Sequence, residues 1–128
     1  MIRLALIAAA LVAAGPVVAQ EAAAPDKPET ASCLPTRNIL QAYAGIDGKW
    51  YARVSGSKWW RNTMECPTLQ PRRGVVHNSP IGSQCRGDIV QVVDFNLGGV
   101  NFGGCALDTW ERVDKPAPQR APKSAKPR

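Results

Sequence analysis

Few side chains in this 128-residue chain can do chemistry. Cys33, Cys66, Cys85 and Cys105 are its four thiols, and His77 is its one imidazole. Zinc sites and redox pairs usually draw thiolates from close C-x-x-C spacings. Here 32, 18 and 19 residues separate successive cysteines, so no metal ligand set is expected. An even count fits two structural disulfides instead. His77 lies in VVHN, where a strand side chain is the expected role. A catalytic imidazole needs a nucleophile and an orienting group, and the chain has no G-x-S-x-G. The carboxylates Asp47, Glu65, Asp88, Asp94, Asp108 and Glu111 show no spacing that selects a glycosidase-like pair. Asp47 and Asp88 sit where a carboxylate can accept bonds from nearby backbone N–H groups. Gly98-Gly99 and Gly103-Gly104 lack the lysine and helix start of a phosphate loop. No catalytic residue, metal or cofactor is therefore assigned, and the chain is not expected to be an enzyme.

The aromatic residues carry more information. Trp59 and Trp60 are adjacent, so on a strand they face opposite sides. Lys58 and Arg61 flank them, and Arg72-Arg73 follow. An outward indole stacks on a sugar ring, and cations beside it hold carboxylate or phosphate. Trp59, Trp60, Arg61, Arg72 and Arg73 are the candidate binding residues.

The elements that must position these groups are short. Asn38 to Ala44, Lys49 to Val54, Trp59 to Met64, Arg73 to Asn78 and Asp88 to Asp94 read as strands. Turn signals such as Gly45-Ile46-Asp47-Gly48, Ser55-Gly56-Ser57 and Ser79-Pro80-Ile81-Gly82 separate them. A sixth strand is expected within 105–113, after a glycine-rich turn or bulge over 97–104. In Lys49 to Val54, Trp50, Ala52 and Val54 share one face and Tyr51 and Arg53 the other. The fold class expected is all-β, a small disulfide-stapled sandwich or barrel of about five to six strands.

Around this domain, 32–113, composition changes. Residues 1–19 read as a secretory signal: Arg3, an apolar run Leu4 to Ala14, a Gly15-Pro16 break and Val17-Val18-Ala19 before the cut. The apolar run is about half of the roughly 20 residues a spanning helix needs, so no stable membrane span is expected. Residues 20–31 read as a disordered linker. Residues 114–128 (DKPAPQRAPKSAKPR) read as a disordered, proline-rich basic tail, because no large apolar side chain offsets the entropy of ordering it. Of the net charge of +6, much sits there: Lys115, Arg120, Lys123, Lys126 and Arg128 face only Asp114.

A domain this small needs cross-links, and an exported chain can form them. Four cysteines allow three pairings. Cys33–Cys105, tying the domain's ends, with Cys66–Cys85, clipping the fourth strand, is the expected one.

The run CLPTRNI (33–39), KWYARVSGSKWWRNTMECPTL (49–69), SQCRGDIVQVVD (83–94) and GGCALDTW (103–110) resembles a family of small secreted four-cysteine proteins from Gram-negative bacteria, a domain of unknown function. The matching positions are Cys33, Ile39, Asn62, Met64, Cys66, Leu69, Cys85, Asp88, Ile89, Cys105 and Leu107. The resemblance covers roughly 33–110. It implies export and a shared disulfide fold, and no activity.

Together these features point to a periplasmic or secreted, non-catalytic envelope protein. Its expected partners are peptidoglycan or lipopolysaccharide, with an envelope protein bound by an inhibitor-like module as the alternative. Nucleic acid is not expected, because export removes the chain from it.

Overall fold

The computed structural model describes residues 27–120. The expected signal segment 1–19, residues 20–26 of the linker and residues 121–128 of the tail lie outside the described residues.

The fold is all-β, with ten strands among the described residues in three antiparallel sheets. They are β1 (Thr30–Ala31), β2 (Cys33–Pro35), β3 (Ile39–Ala44), β4 (Trp50–Val54), β5 (Lys58–Asn62), β6 (Gly74–Val76), β7 (Ser83–Cys85), β8 (Ile89–Asp94), β9 (Val100–Ala106) and β10 (Trp110–Val113). The largest sheet has the order β1-β10-β5-β4-β3; β6-β8-β9 form a second, and β2-β7 a third. Alternation assigns the faces as the sequence predicts. Ala44, Trp50, Ala52 and Trp60 point into a shared core with Val90 and Val92 of β8, Leu34 of β2, Leu107 and Trp110. Tyr43, Tyr51, Arg53, Trp59 and Arg61 fall on the opposite face of the large sheet, in register across β3, β4 and β5. At about 25 cal/mol per Å2 of apolar surface, each large apolar side chain buried there contributes about 1.5–3 kcal/mol.

Four expectations are corrected. First, the disulfides are Cys33–Cys85 and Cys66–Cys105, not Cys33–Cys105 and Cys66–Cys85. β2 and β7 pair antiparallel with Cys33 opposite Cys85, their Cα atoms 4.0 Å apart. Neither CLP nor SQC is long enough to announce a strand, so the pairing that fixes this bridge is invisible to a pattern search. Second, the glycine-rich turn or bulge over 97–104 is largely strand: β9 begins at Val100 and runs through Gly103-Gly104 to Ala106, and its register against β8 shifts between Gln91 and Val93 as at a bulge. Its glycines carry no side chain to show alternation. The expected strand over 105–113 is two strands, interrupted at 107–109. Third, the linker ends before residue 31. Thr30 and Ala31 pair with Glu111 and Trp110, and the Arg112 N–H donates to the Glu29 carbonyl at 2.7 Å. Fourth, the tail is ordered in its first part. Tyr43 Oη donates to the Ala117 carbonyl at 2.9 Å, and the Ile46 N–H donates to the Pro118 carbonyl at 2.9 Å. Main-chain hydrogen bonds to the outer sheet face supply what the tail's own apolar content does not.

Two polar brackets lock loops around the core. Asn62, fully buried, accepts from the N–H groups of Met64 and Asp108, both at 3.0 Å, and donates Nδ2 to the Asp108 carbonyl at 2.9 Å. Asp88 Oδ2 accepts from the Cys85 N–H at 2.8 Å and lies 2.9 Å from His77 Nε2. Beyond closing the turn between β7 and β8, this carboxylate holds the segment after β6 against it.

Candidate ligand cleft

An open cleft of about 460 Å3 lies where the edge strand β3 approaches β6. This lies within the 300–1,000 Å3 range of small-molecule sites. Ala42 and Tyr43 come from β3, Trp50 from β4, Gly74 and Val75 from β6, and Gln84 from β7. Arg72 and Arg73 lead into β6, Phe95 and Asn96 follow β8, and Gln119 arrives from the tail.

Local sequence explains how these groups are held. Asp94 is buried, and its side chain caps the 3-10 turn Phe95–Leu97 by accepting from the Asn96 N–H at 2.9 Å. Gly98 ends that turn with φ +74°, a left-handed conformation that suits glycine. The turn lays Phe95 across β6. A Cβ on Gly74 would lie 2.9 Å from the Phe95 ring, so the glycine lets the ring lie close over β6. Phe95 stays 65% exposed, leaving an aromatic wall open to a ligand.

The two arginines differ. Arg73 stacks its guanidinium 3.5 Å from the centre of the Phe102 ring and donates Nη1 to the Thr68 carbonyl at 2.6 Å. It is a structural cation whose charge still faces the cleft. Arg72 is exposed and forms no ion pair among the described residues. Deeper in, two lining residues keep unsatisfied polar atoms. Trp50 Nε1 and Gln84 Oε1 are buried and lack a hydrogen-bond partner among the described residues. Buried polar groups are rarely left unpaired, because each costs about 1–3 kcal/mol. The donor and the acceptor lie behind the cleft wall, beneath the surface that Trp50 and Gln84 present to it.

The candidate residues from sequence are thus split. Arg72 and Arg73 line the cleft. Trp60 is in the core, and Arg61 is paired with Glu111 at 2.8 Å. Trp59 is half-buried and meets Tyr43 edge-on, ring centres 5.5 Å apart. Sequence reasoning missed Tyr43, Trp50, Gln84, Phe95 and Asn96. The pattern DFNLGG (94–99) carried a signal, an Asp cap followed by a left-handed glycine, but only the fold brings it beside Arg72.

Other chemically capable groups are committed elsewhere. Asp47 accepts from Tyr51 Oη at 2.6 Å, Glu65 pairs with Lys49 at 2.7 Å, and Asp108 with Arg86 at 3.3 Å. His77 is held against Asp88, with only 6% of its side chain exposed. The Cys85 N–H above all, and then His77, holds the Asp88 carboxyl below the usual carboxylate range, against partial desolvation. All four sulfurs are in disulfides, which leaves no thiolate to ligate or attack. The cleft lining contains no carboxylate, imidazole or thiol.

Comparison with known proteins finds no match among family models, curated proteins or solved structures.

Proposed function

We propose that this chain is an exported, non-catalytic binding protein of the bacterial envelope, and that the β3–β6 cleft takes an anionic saccharide. Peptidoglycan and lipopolysaccharide present this chemistry. The observation that carries the reading is the cleft itself. Arg72 is free to meet an anion, Tyr43 and Phe95 offer aromatic faces, and Asn96 and Gln119 bring polar side chains to the same wall. Sugar rings need that mixture of stacking surface and directional hydrogen bonds. Export is supported by the signal-like residues 1–19, by two disulfides of the kind made in oxidising compartments, and by the resemblance of residues 33–110 to secreted four-cysteine proteins of Gram-negative bacteria. No helix among the described residues is long and apolar enough to cross a membrane.

A second reading, docking of an envelope protein, draws on a different surface. Val76, Ile89, Leu97 and Val100, on or beside the β6-β8-β9 sheet, are exposed apolar residues. Such surface suits protein contact.

Retention of the purified protein on insoluble peptidoglycan and on lipopolysaccharide-coated beads at low salt tests the first reading. The wild type should be retained and Arg72→Ala should be released at lower salt. Release of the variant at the same salt as the wild type, or no retention of the wild type on either polymer, refutes the cleft as the site.

A further inference from the structure

The outer face of the large sheet holds an aromatic row already carrying a ligand. Tyr43 and Tyr51 stack with ring centres 5.9 Å apart, and Trp59 meets Tyr43 from the other side. Against Tyr43 of this row lies Pro116-Ala117-Pro118, with Pro116 and Ala117 half-buried and no helix or strand of their own. The Tyr43 hydroxyl and the Ile46 N–H donate to two consecutive carbonyls, those of Ala117 and Pro118. Gly45 makes the close approach possible: a Cβ there would lie 2.8 Å from the Tyr51 ring and 3.2 Å from Ala117 Cβ.

Proline cannot donate a main-chain hydrogen bond, and its φ is already fixed near −65°. A proline-rich stretch therefore loses little entropy on docking, and its carbonyls are free to accept. Aromatic rows with a donating hydroxyl are the surfaces that read such stretches. We propose that the Tyr43–Tyr51–Trp59 face is a binding site for extended proline-rich peptide, and that residues 115–120 of this chain are its resident occupant. The tail is tethered directly to β10, so its effective concentration is on the order of millimolar. A proline-rich segment of another chain gains the face only when the tail has left it. This site goes beyond the cleft reading but adjoins the cleft: Tyr43 belongs to both, and the docked tail brings Gln119 to the cleft wall.

Amide hydrogen exchange of the full chain tests the proposal. The Ile46 amide should be protected in the wild type. Tyr43→Phe, and separately the pair Pro116→Gly and Pro118→Gly, should speed its exchange about fivefold or more, while the core amides of Ala52 and Trp60 stay as slow as in the wild type. Adding a synthetic peptide of sequence KPAPQRAP to the double-glycine chain should restore protection of Ile46 saturably, and a version with its prolines changed to glycine should not. An Ile46 amide that exchanges equally in all three chains overturns the proposal. So does a peptide that restores nothing, or a glycine version that restores as well.

Discussion

Asn62 and Asp108 exchange a reciprocal pair of hydrogen bonds: the Asn62 side-chain amide donates to the Asp108 carbonyl at 2.9 Å and accepts from the Asp108 N–H at 3.0 Å. One side chain thereby mimics a strand neighbour for the segment between β9 and β10. The same oxygen takes the Met64 N–H, so Asn62 governs the exit of β5 as well. Asn62→Leu leaves three main-chain groups in the interior without that partner. At about 1 kcal/mol or more for each unmade bond, the variant should lose about 2–4 kcal/mol. Urea denaturation of the oxidised protein measures this, and an unchanged midpoint contradicts the bracket.

The disulfides close loops with sequence separations of 52 and 39. In the chain-entropy description each contributes about 4 kcal/mol, against a total stability of about 5–15 kcal/mol for a domain. Removing the Cys33–Cys85 bridge by paired Ser substitution should leave a chain that is marginal at best. Non-reducing peptide mapping should recover 33 joined to 85 and 66 joined to 105.

Stability should fall at both ends of the pH scale, for different reasons. Asp88 has a folded pKa below its unfolded value because the Cys85 N–H and His77 favour the carboxylate. Its contribution is present above about pH 4, the unfolded pKa, and is lost as pH falls through the folded one. Tyr51 is shifted upward by burial, by its bond to Asp47 and by that residue's charge. Its contribution is present below about pH 10 and is lost as pH rises through the folded value. Urea midpoints against pH should show both declines. Asp88→Asn should flatten the acid limb, and Tyr51→Phe the alkaline one.

Arg72 and Arg73 are neighbours with opposite duties. Arg73→Ala removes the stack on Phe102 and the bond to the Thr68 carbonyl, and should cost about 1–2 kcal/mol of stability. Arg72→Ala should stay within about 0.5 kcal/mol of the wild type while losing affinity for anions. Thermal melts and binding isotherms on the two variants check the contrast. Equal destabilisation would show that Arg72 is structural too.

Much of the fold was legible because alternation writes itself into sequence. KWYARV declares which side chains face the core, and β4 follows that division; WWRNT declares only that Trp59 and Trp60 face opposite ways, and the structure puts Trp60 inside. The missing strands are those whose pairing is decided by partners distant in the chain. Thr30–Ala31, Cys33–Pro35 and Ser83–Cys85 are too short to alternate, and β9 hides its period behind two glycines. The disulfide pattern was lost for the same reason, since Cys33 meets Cys85 only once β2 lies along β7. Of the cleft, Arg72 and Arg73 were legible as paired cations. Trp50 and Gln84 were not, because their significance is an unmet hydrogen bond, a property of packing.

The most direct measurement follows the four tryptophan indole N–H signals by nuclear magnetic resonance during titration with soluble anionic peptidoglycan fragments. The Trp50 signal, from an indole that lines the cleft, should shift saturably, and the Trp110 signal, bonded to the Gln84 carbonyl at 3.1 Å, should move less. A Trp50 signal that stays fixed while others shift, or no saturable shift at all, would contradict a ligand in this cleft.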